Sequence, residues 1–267
     1  MKTPHPYRFD RPRLSDVMHD MRITARDRGP GDPVPAFHLP TIDGGRFSRD
    51  DLRDLDRSAF VIFGSLTCPV TASAVDGLRA LYAAHGDAFR FVLVQVREAH
   101  PGERLDQPSS LAAKRSRAAA MRAHFDIPFE VAVDDVEGTL HRALNARPNS
   151  AFVLSPDGYI RLHVQWANET AAIDRALRAL RTGAAPPRAT IRRTAPAMLK
   201  AIGYMGPVLS SAGRRAWRDT LRLAPMLAPL IGVASLLRFL PRARRGLAAA
   251  ALMLAAGLWV MWLSLLG

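Results

Sequence analysis

The sequence predicts an α/β fold, a sheet layered between helices, followed by a membrane-anchoring helical tail. Three observations carry this. Ala59–Phe63 is a continuous apolar run of strand length and Phe89–Val96 a mainly apolar one, and a segment of helical period separates them, the pattern of strands covered on both faces. Strand-like runs flank the turns Asp43-Gly44-Gly45 and Pro156-Asp157-Gly158. Leu247–Leu266 is a stretch of twenty residues without a charge. With 267 residues, 48% of them apolar, the chain can build one ordinary domain with appendages.

Taken in order, residues 1–30 are polar and proline-containing. They lack an apolar segment behind Met1-Lys2, so a poorly ordered arm and no secretory leader are expected. Residues 31–183 hold the domain. Phe37–Leu39 and Arg46–Phe47 bracket a hairpin turn, Ala59–Phe63 is a buried strand, and Val70–Ala84 is a helix with Val75, Leu78, Leu81 and Tyr82 on one face. Phe89–Val96 is the second buried strand. Ser110–His124 reads as a helix, Phe129–Val133 as a short strand and Glu137–Leu144 as another helix. Ala151–Leu154 and Tyr159–Val164 form a hairpin, and Ala171–Arg181 closes the domain. Strand, helix, strand, helix, then hairpin and helix make a three-layer sandwich of thioredoxin type.

The formal charge of +13 belongs to the tail. Residues 184–267 hold twelve Lys/Arg against the single acid Asp219, leaving only +2 for the rest. Basic residues beside apolar segments fit an anionic lipid surface and argue against a nucleic-acid partner. Residues 184–222, with Pro186 and Pro187 at their start, read as a basic linker that carries short amphipathic pieces at Met198–Leu209 and Trp217–Leu223. Residues 223–267 read as the membrane-associated part. Leu247–Leu266 as a helix covers the roughly 30 Å hydrocarbon layer, with Arg242, Arg244 and Arg245 on the cytoplasmic flank and Trp259 and Trp262 toward the far interface. Leu223–Leu237, interrupted by Pro225 and Pro229, is expected at the interface, a two-span hairpin being the alternative. The expected location is the cell membrane, with the domain facing the cytoplasm.

The chemistry centres on Cys68, the chain's only cysteine, delivered by an apolar strand and a Gly64 break onto a helix start with Pro69 behind it. Free amides at a helix N-terminus favour thiolate over thiol, so a lowered thiol pKa is expected, with the hydroxyls of Ser65 and Thr67 within reach. The bland alternative is a small buried hydrophobe. With no second thiol, any disulfide cycle needs an outside thiol, and the eight histidines show no metal-ligand spacing.

Three segments carry a resemblance: Phe63-Gly64-Ser65-Leu66-Thr67-Cys68-Pro69, the strand end Val96-Arg97-Glu98-Ala99-His100-Pro101, and Ala146–Phe152 with Pro156-Asp157-Gly158. Together they resemble the iodothyronine deiodinase family and, more broadly, the peroxiredoxin-like redoxins of the thioredoxin-fold superfamily, over about residues 33–181. The resemblance implies that Cys68 stands where vertebrate deiodinases have selenocysteine, with Ser65 and Thr67 at the family's hydroxyl positions. It makes His100 and Glu98 the acid–base pair serving the sulfur, and Pro148 the active-site-loop proline that is typically cis. Leu66 replaces a family cysteine, Arg97 replaces an acid, and no second histidine lies between Gly102 and Ser110, which points away from hormone deiodination.

Read physically, His100 would favour the thiolate as an imidazolium or take its proton as a neutral base, with Glu98 holding the ring. A solvated histidine at a strand end is the alternative. Arg147 reads either as a cation serving the thiolate or a peroxide oxygen, or as a surface arginine, the latter favoured. His163 and Trp166 read as core or rim. The expected function is a membrane-anchored single-cysteine thiol oxidoreductase without cofactor or metal. It would reduce a small peroxide through a sulfenic acid that an external thiol or thioredoxin-type reductant recycles. Reductive dehalogenation of a halogenated substrate is the enzymatic alternative. A non-enzymatic redox-fold adaptor at the membrane is the alternative from another class.

Overall fold

The structure, a computed structural model, describes residues 7–21, 27–145 and 147–266. Residues 1–6 and 22–26 of the expected arm, and Ala146 of the run Ala146–Phe152, lie outside the described residues. The arm carries a short helix, α1 (Leu14–Asp20), and the hairpin follows as β1 (His38–Pro40) and β2 (Arg46–Ser48). Ser48 caps α2 (Arg49–Asp54), its hydroxyl accepting from the Asp51 N–H while the Asp51 carboxylate accepts from the Ser48 N–H. Then come β3 (Ala59–Gly64), α3 (Pro69–His85), β4 (Arg90–Gln95), α4 (Leu111–Phe125), β5 (Glu130–Val133) and α5 (Thr139–Ala143). The domain ends with β6 (Ala151–Leu154), β7 (Ile160–Val164) and α6 (Thr170–Arg181).

Among the described residues one sheet runs β5-β4-β3-β6-β7 and adds β8 (Thr190–Ile191) at its edge. β3, β4 and β5 are parallel, β6 is antiparallel to β3, and β7 is antiparallel to β6. This is the mixed α/β sandwich that the sequence predicts. β3 is buried at every position because it is central and covered on both faces. Its Phe60 and Ile62 pack with α3, α4 and α6, whereas Val61 and Phe63 pack with the β1–β2 hairpin and α5. Each fully buried aromatic or branched side chain contributes roughly 1.5–3 kcal/mol. The central strand therefore holds the loop at its C-terminal end, where Cys68 lies, on a rigid base.

The tail departs from the sequence reading. The stretch expected to be a basic linker contains β8, α7 (Thr194–Ala212) and α8 (Arg214–Leu223), which pack on the domain. β8 extends the sheet beside β7, and α7 lies along α3, with Asn168 Nδ2 donating to both Ser73 Oγ and the Ala197 carbonyl. Beyond them, α9 (Leu227–Leu236) is too short to cross a bilayer, and α10 (Arg242–Leu266) crosses α7 closely. A Cβ added at Gly203 would meet the Arg242 carbonyl at 2.0 Å. Arg242–Trp262 is apolar enough to cross a membrane by length and composition, with a mean hydropathy of 1.5. α10 buries Ala249, while Leu254 and Trp259 are exposed.

Candidate active site around Cys68

Cys68 is the N-cap residue of α3 and Pro69 its first helical residue, as the sequence predicts. The sulfur, however, is sealed: Cys68 is only 3% exposed and packs with Val70, Trp166, Ala197 and Ala201. Burial therefore pushes the thiol up from its ordinary value. The backbone N–H and hydroxyl of Thr71 and the Val70 N–H pull the other way, and the negative Glu98 adds to the upward push. The helix N-terminus thus stabilises the thiolate as expected, but desolvation under α7 outweighs it. At rest the sulfur makes no capping hydrogen bond, so these amides and the hydroxyl act as nearby dipoles.

The hydroxyl that serves the sulfur belongs to Thr71, not to Ser65 or Thr67. Thr71 Oγ1 accepts from Asn149 Nδ2 at 3.0 Å and from the Ser65 N–H at 3.4 Å, which leaves its own proton for the sulfur side. Gly64 makes room for this, since a Cβ there would meet Thr71 Cγ2 at 3.1 Å. Thr71 is the third residue of α3, the position whose N–H faces an N-cap side chain, so the run Cys68-Pro69-Val70-Thr71 held the signal.

Ser65 and Thr67 instead tie the cysteine loop to the end of β4. Ser65 Oγ accepts from the Ala99 N–H at 3.3 Å. Thr67 donates its hydroxyl (2.6 Å) and its N–H (2.9 Å) to Glu98 Oε2, and Thr67 Oγ1 accepts from the His100 N–H at 3.1 Å. The other Glu98 oxygen accepts from Gln95 Nε2 at 3.0 Å and pairs with Arg117 at 3.4 Å. Glu98 is fully buried. It pins the loop and does not hold the His100 ring, which corrects the acid–base pair implied by the resemblance.

The His100 ring bonds through Nδ1 to Thr220 Oγ1 of α8 at 3.1 Å. Burial pulls its imidazole down to about 4, so it is neutral near pH 7 and the imidazolium reading falls. Arg147 is neither a surface arginine nor a partner of the sulfur. It is buried, pairs with Asp27 at 2.9 Å, and has His19 Nε2 at 2.8 Å from Nη1. Arg97 likewise pairs with Asp20 at 2.6 Å and lies 4.7 Å from the Phe9 ring centre. These two arginines bolt the arm over the site, where poor order was expected. Tyr7 is also buried: its hydroxyl donates to His141 Nδ1 at 3.0 Å, because His141 Nε2–H donates to the Arg147 carbonyl at 2.8 Å. Pro148 lines the site but its peptide bond is trans, since no peptide bond among the described residues is cis.

Cys68, His100 and Pro148 line one cavity of about 320 Å³. Its remaining walls are largely apolar: Val17 and Met21 from the arm, Trp166 of the domain, and Ala201, Met205 and Leu227 from the tail. Trp166 is fixed there by donating Nε1–H to Thr194 Oγ1 at 3.1 Å, whereas His163 lies in the core, stacked on Phe152 at 4.4 Å. The loop after His100 carries the tail. Glu103 accepts from the Arg214 and Arg215 N–H groups at the start of α8, and those bonds hold its carboxyl down at about 2. That is what residues 102–106 do in place of a second histidine.

No family model and no curated protein matches the chain. Among solved structures it is similar to a hypothetical protein from Sinorhizobium meliloti, at 17% identity over 65% of this chain and 97% of that one, with a TM-score of 0.48. It is also similar to peroxidoxin BcpB from Mycobacterium tuberculosis, at 17% identity over 58% of this chain and 97% of that one, TM-score 0.43. A secreted disulfide oxidoreductase from the same organism is 18% identical over 46% of this chain and 79% of that one, TM-score 0.36. These likenesses are too distant to carry a residue's role into this chain.

Proposed function

We propose that the protein is a membrane-attached, single-cysteine thiol oxidoreductase that reduces a peroxide at Cys68. The observation that carries this reading is the one cavity lined together by Cys68, the neutral His100 and the active-site-loop residue Pro148. His100, held by Thr220, passes the thiol proton on toward the leaving oxygen as the sulfur attacks, so that no imidazolium builds up. The thiolate attacks the outer peroxide oxygen, the O–O bond breaks, and the leaving alkoxide takes up the proton, giving Cys68 sulfenic acid and an alcohol. An external thiol then condenses with the sulfenic acid, releasing water, and a second thiol releases Cys68 with formation of a disulfide. The dipoles of Val70 and Thr71 stabilise the thiolate once formed.

The apolar lining favours an organic peroxide over hydrogen peroxide. It equally suits a halogenated ring, and reductive dehalogenation by the same thiolate is the second reading. Attachment to the membrane through α10, with Cys68 on the cytoplasmic side, completes the proposal.

A dione probe after a mild pulse of an organic hydroperoxide tests the chemistry. The full-length protein should be labelled at Cys68 and should consume peroxide with added thiol, and Cys68→Ser should do neither. Peroxide consumption that survives in Cys68→Ser would defeat the reading. Halide release from a halogenated aromatic without peroxide turnover would move the assignment to dehalogenation.

A further inference from the structure

A second cavity, of about 390 Å³, lies between α7, α9 and the start of α10. Arg238, Arg242 and Arg245 line it with Ser235, and no acidic residue does. Among the described residues none of the three arginines has a carboxylate partner. Arg245 is oriented by donating Nε–H to the Leu240 carbonyl at 2.9 Å and Nη2–H to the Arg238 carbonyl at 3.0 Å. The cluster also sits at the wrong end of a helix. Arg242, Arg244 and Arg245 occupy the first turn of the 25-residue α10, which has no acid there, so their charges add to the positive end of its dipole. An anion at this position would relieve both repulsions and take up free N–H groups at the helix start.

We infer that this cavity binds the phosphate of an anionic phospholipid headgroup. A phosphate offers the planar guanidinium groups bidentate partners. A lipid source is favoured over free phosphate because the apolar surface needed for the chains adjoins the site: Leu236 and Phe239 on one side and Leu247 on the other are all exposed. This choice of source rests on the membrane attachment proposed above, whereas the phosphate chemistry does not.

The test uses the full-length chain reconstituted in vesicles of equal phosphatidylglycerol and phosphatidylcholine, extracted gently and weighed intact. The wild type should retain phosphatidylglycerol about tenfold over phosphatidylcholine, and Arg238→Gln and Arg242→Gln should each lower that preference about fivefold. Arg244→Gln removes a charge from the same turn outside the cavity lining and should change it less than about twofold. No preference in the wild type, or an equal loss in Arg244→Gln, would overturn the site. Thermal stabilisation by inorganic phosphate with no phosphatidylglycerol retained would overturn the lipid assignment. Peroxide turnover measured on the same samples separates this result from the thiol chemistry: its absence defeats that chemistry and leaves the lipid result standing.

Discussion

The sheet and its helices, residues 59–181, and the cover over Cys68, built from the arm and from α7 and α8, are held by different forces. The sheet rests on two apolar clusters and backbone ladders. The cover adds to the apolar packing of Ala197 and Ala201 on Cys68, Val70 and Trp166 a few buried polar contacts that tie its parts down: Arg97 to Asp20, Arg147 to Asp27, His100 to Thr220, and Trp166 to Thr194. Many small apolar contacts degrade gradually when one is lost, whereas a lost charge partner leaves the other charge buried and unpaired. The cover should therefore open as a unit while the sheet stays folded. In this account, whatever opens the cover controls the thiol.

Arg97→Met should give the largest effect. Breaking a buried ion pair costs about 3–5 kcal/mol, so hydrogen exchange across Leu14–Asp20 should rise by roughly two orders of magnitude while β3 and β4 keep their protection. Equal loosening of the strands would erase the distinction between the two regions.

Acid should act next. Burial holds the His100 and His163 imidazoles at about 4 and depresses His141 as well, so the unfolded chain, titrating near 6.5, takes up protons that the folded chain refuses. Stability present above about pH 6.5 should be lost as the pH falls toward 4. Denaturant melts across that window check this, and His100→Gln should flatten part of the slope. A flat profile would mean that these rings stay solvated.

Smaller effects separate the residues around the sulfur. Thr71→Val should slow Cys68 alkylation near neutral pH about fivefold, the loss of one hydroxyl dipole on the thiolate, and Thr71→Ser should restore it. Glu98→Gln removes a negative charge that disfavours the thiolate, so it should lower the Cys68 pKa and speed alkylation by a few-fold. Slowing instead would mean that Glu98 acts chiefly by keeping Thr67 in place.

These contrasts explain what was legible beforehand. The strands at 59–64 and 90–95 and the helix after Cys68 are local consequences of apolar period, a glycine break and Pro69, and they read directly. The cover does not read this way, because its contacts join residues far apart whose types are ambiguous alone. Arg97 and Arg147 look like surface cations until Asp20 and Asp27 are beside them, and β8 is only two residues long. The prolines before α7 suggested a linker, yet α7 closes the site through Ala197 and Ala201. The upward shift of the thiol follows from that closure and could not be read from the helix start alone. Thr71 could have been found, since its position in the first turn of α3 fixes its direction.

The pH dependence of Cys68 alkylation in the full-length protein tests the central claim most directly. A thiol sealed by the arm and α7 should react with an apparent pKa above the free-cysteine value of about 8.5, moving down when Arg97→Met opens the cover. An apparent pKa below that value in the intact protein would contradict the account, because it would mean that the helix start, and not the cover, governs the sulfur.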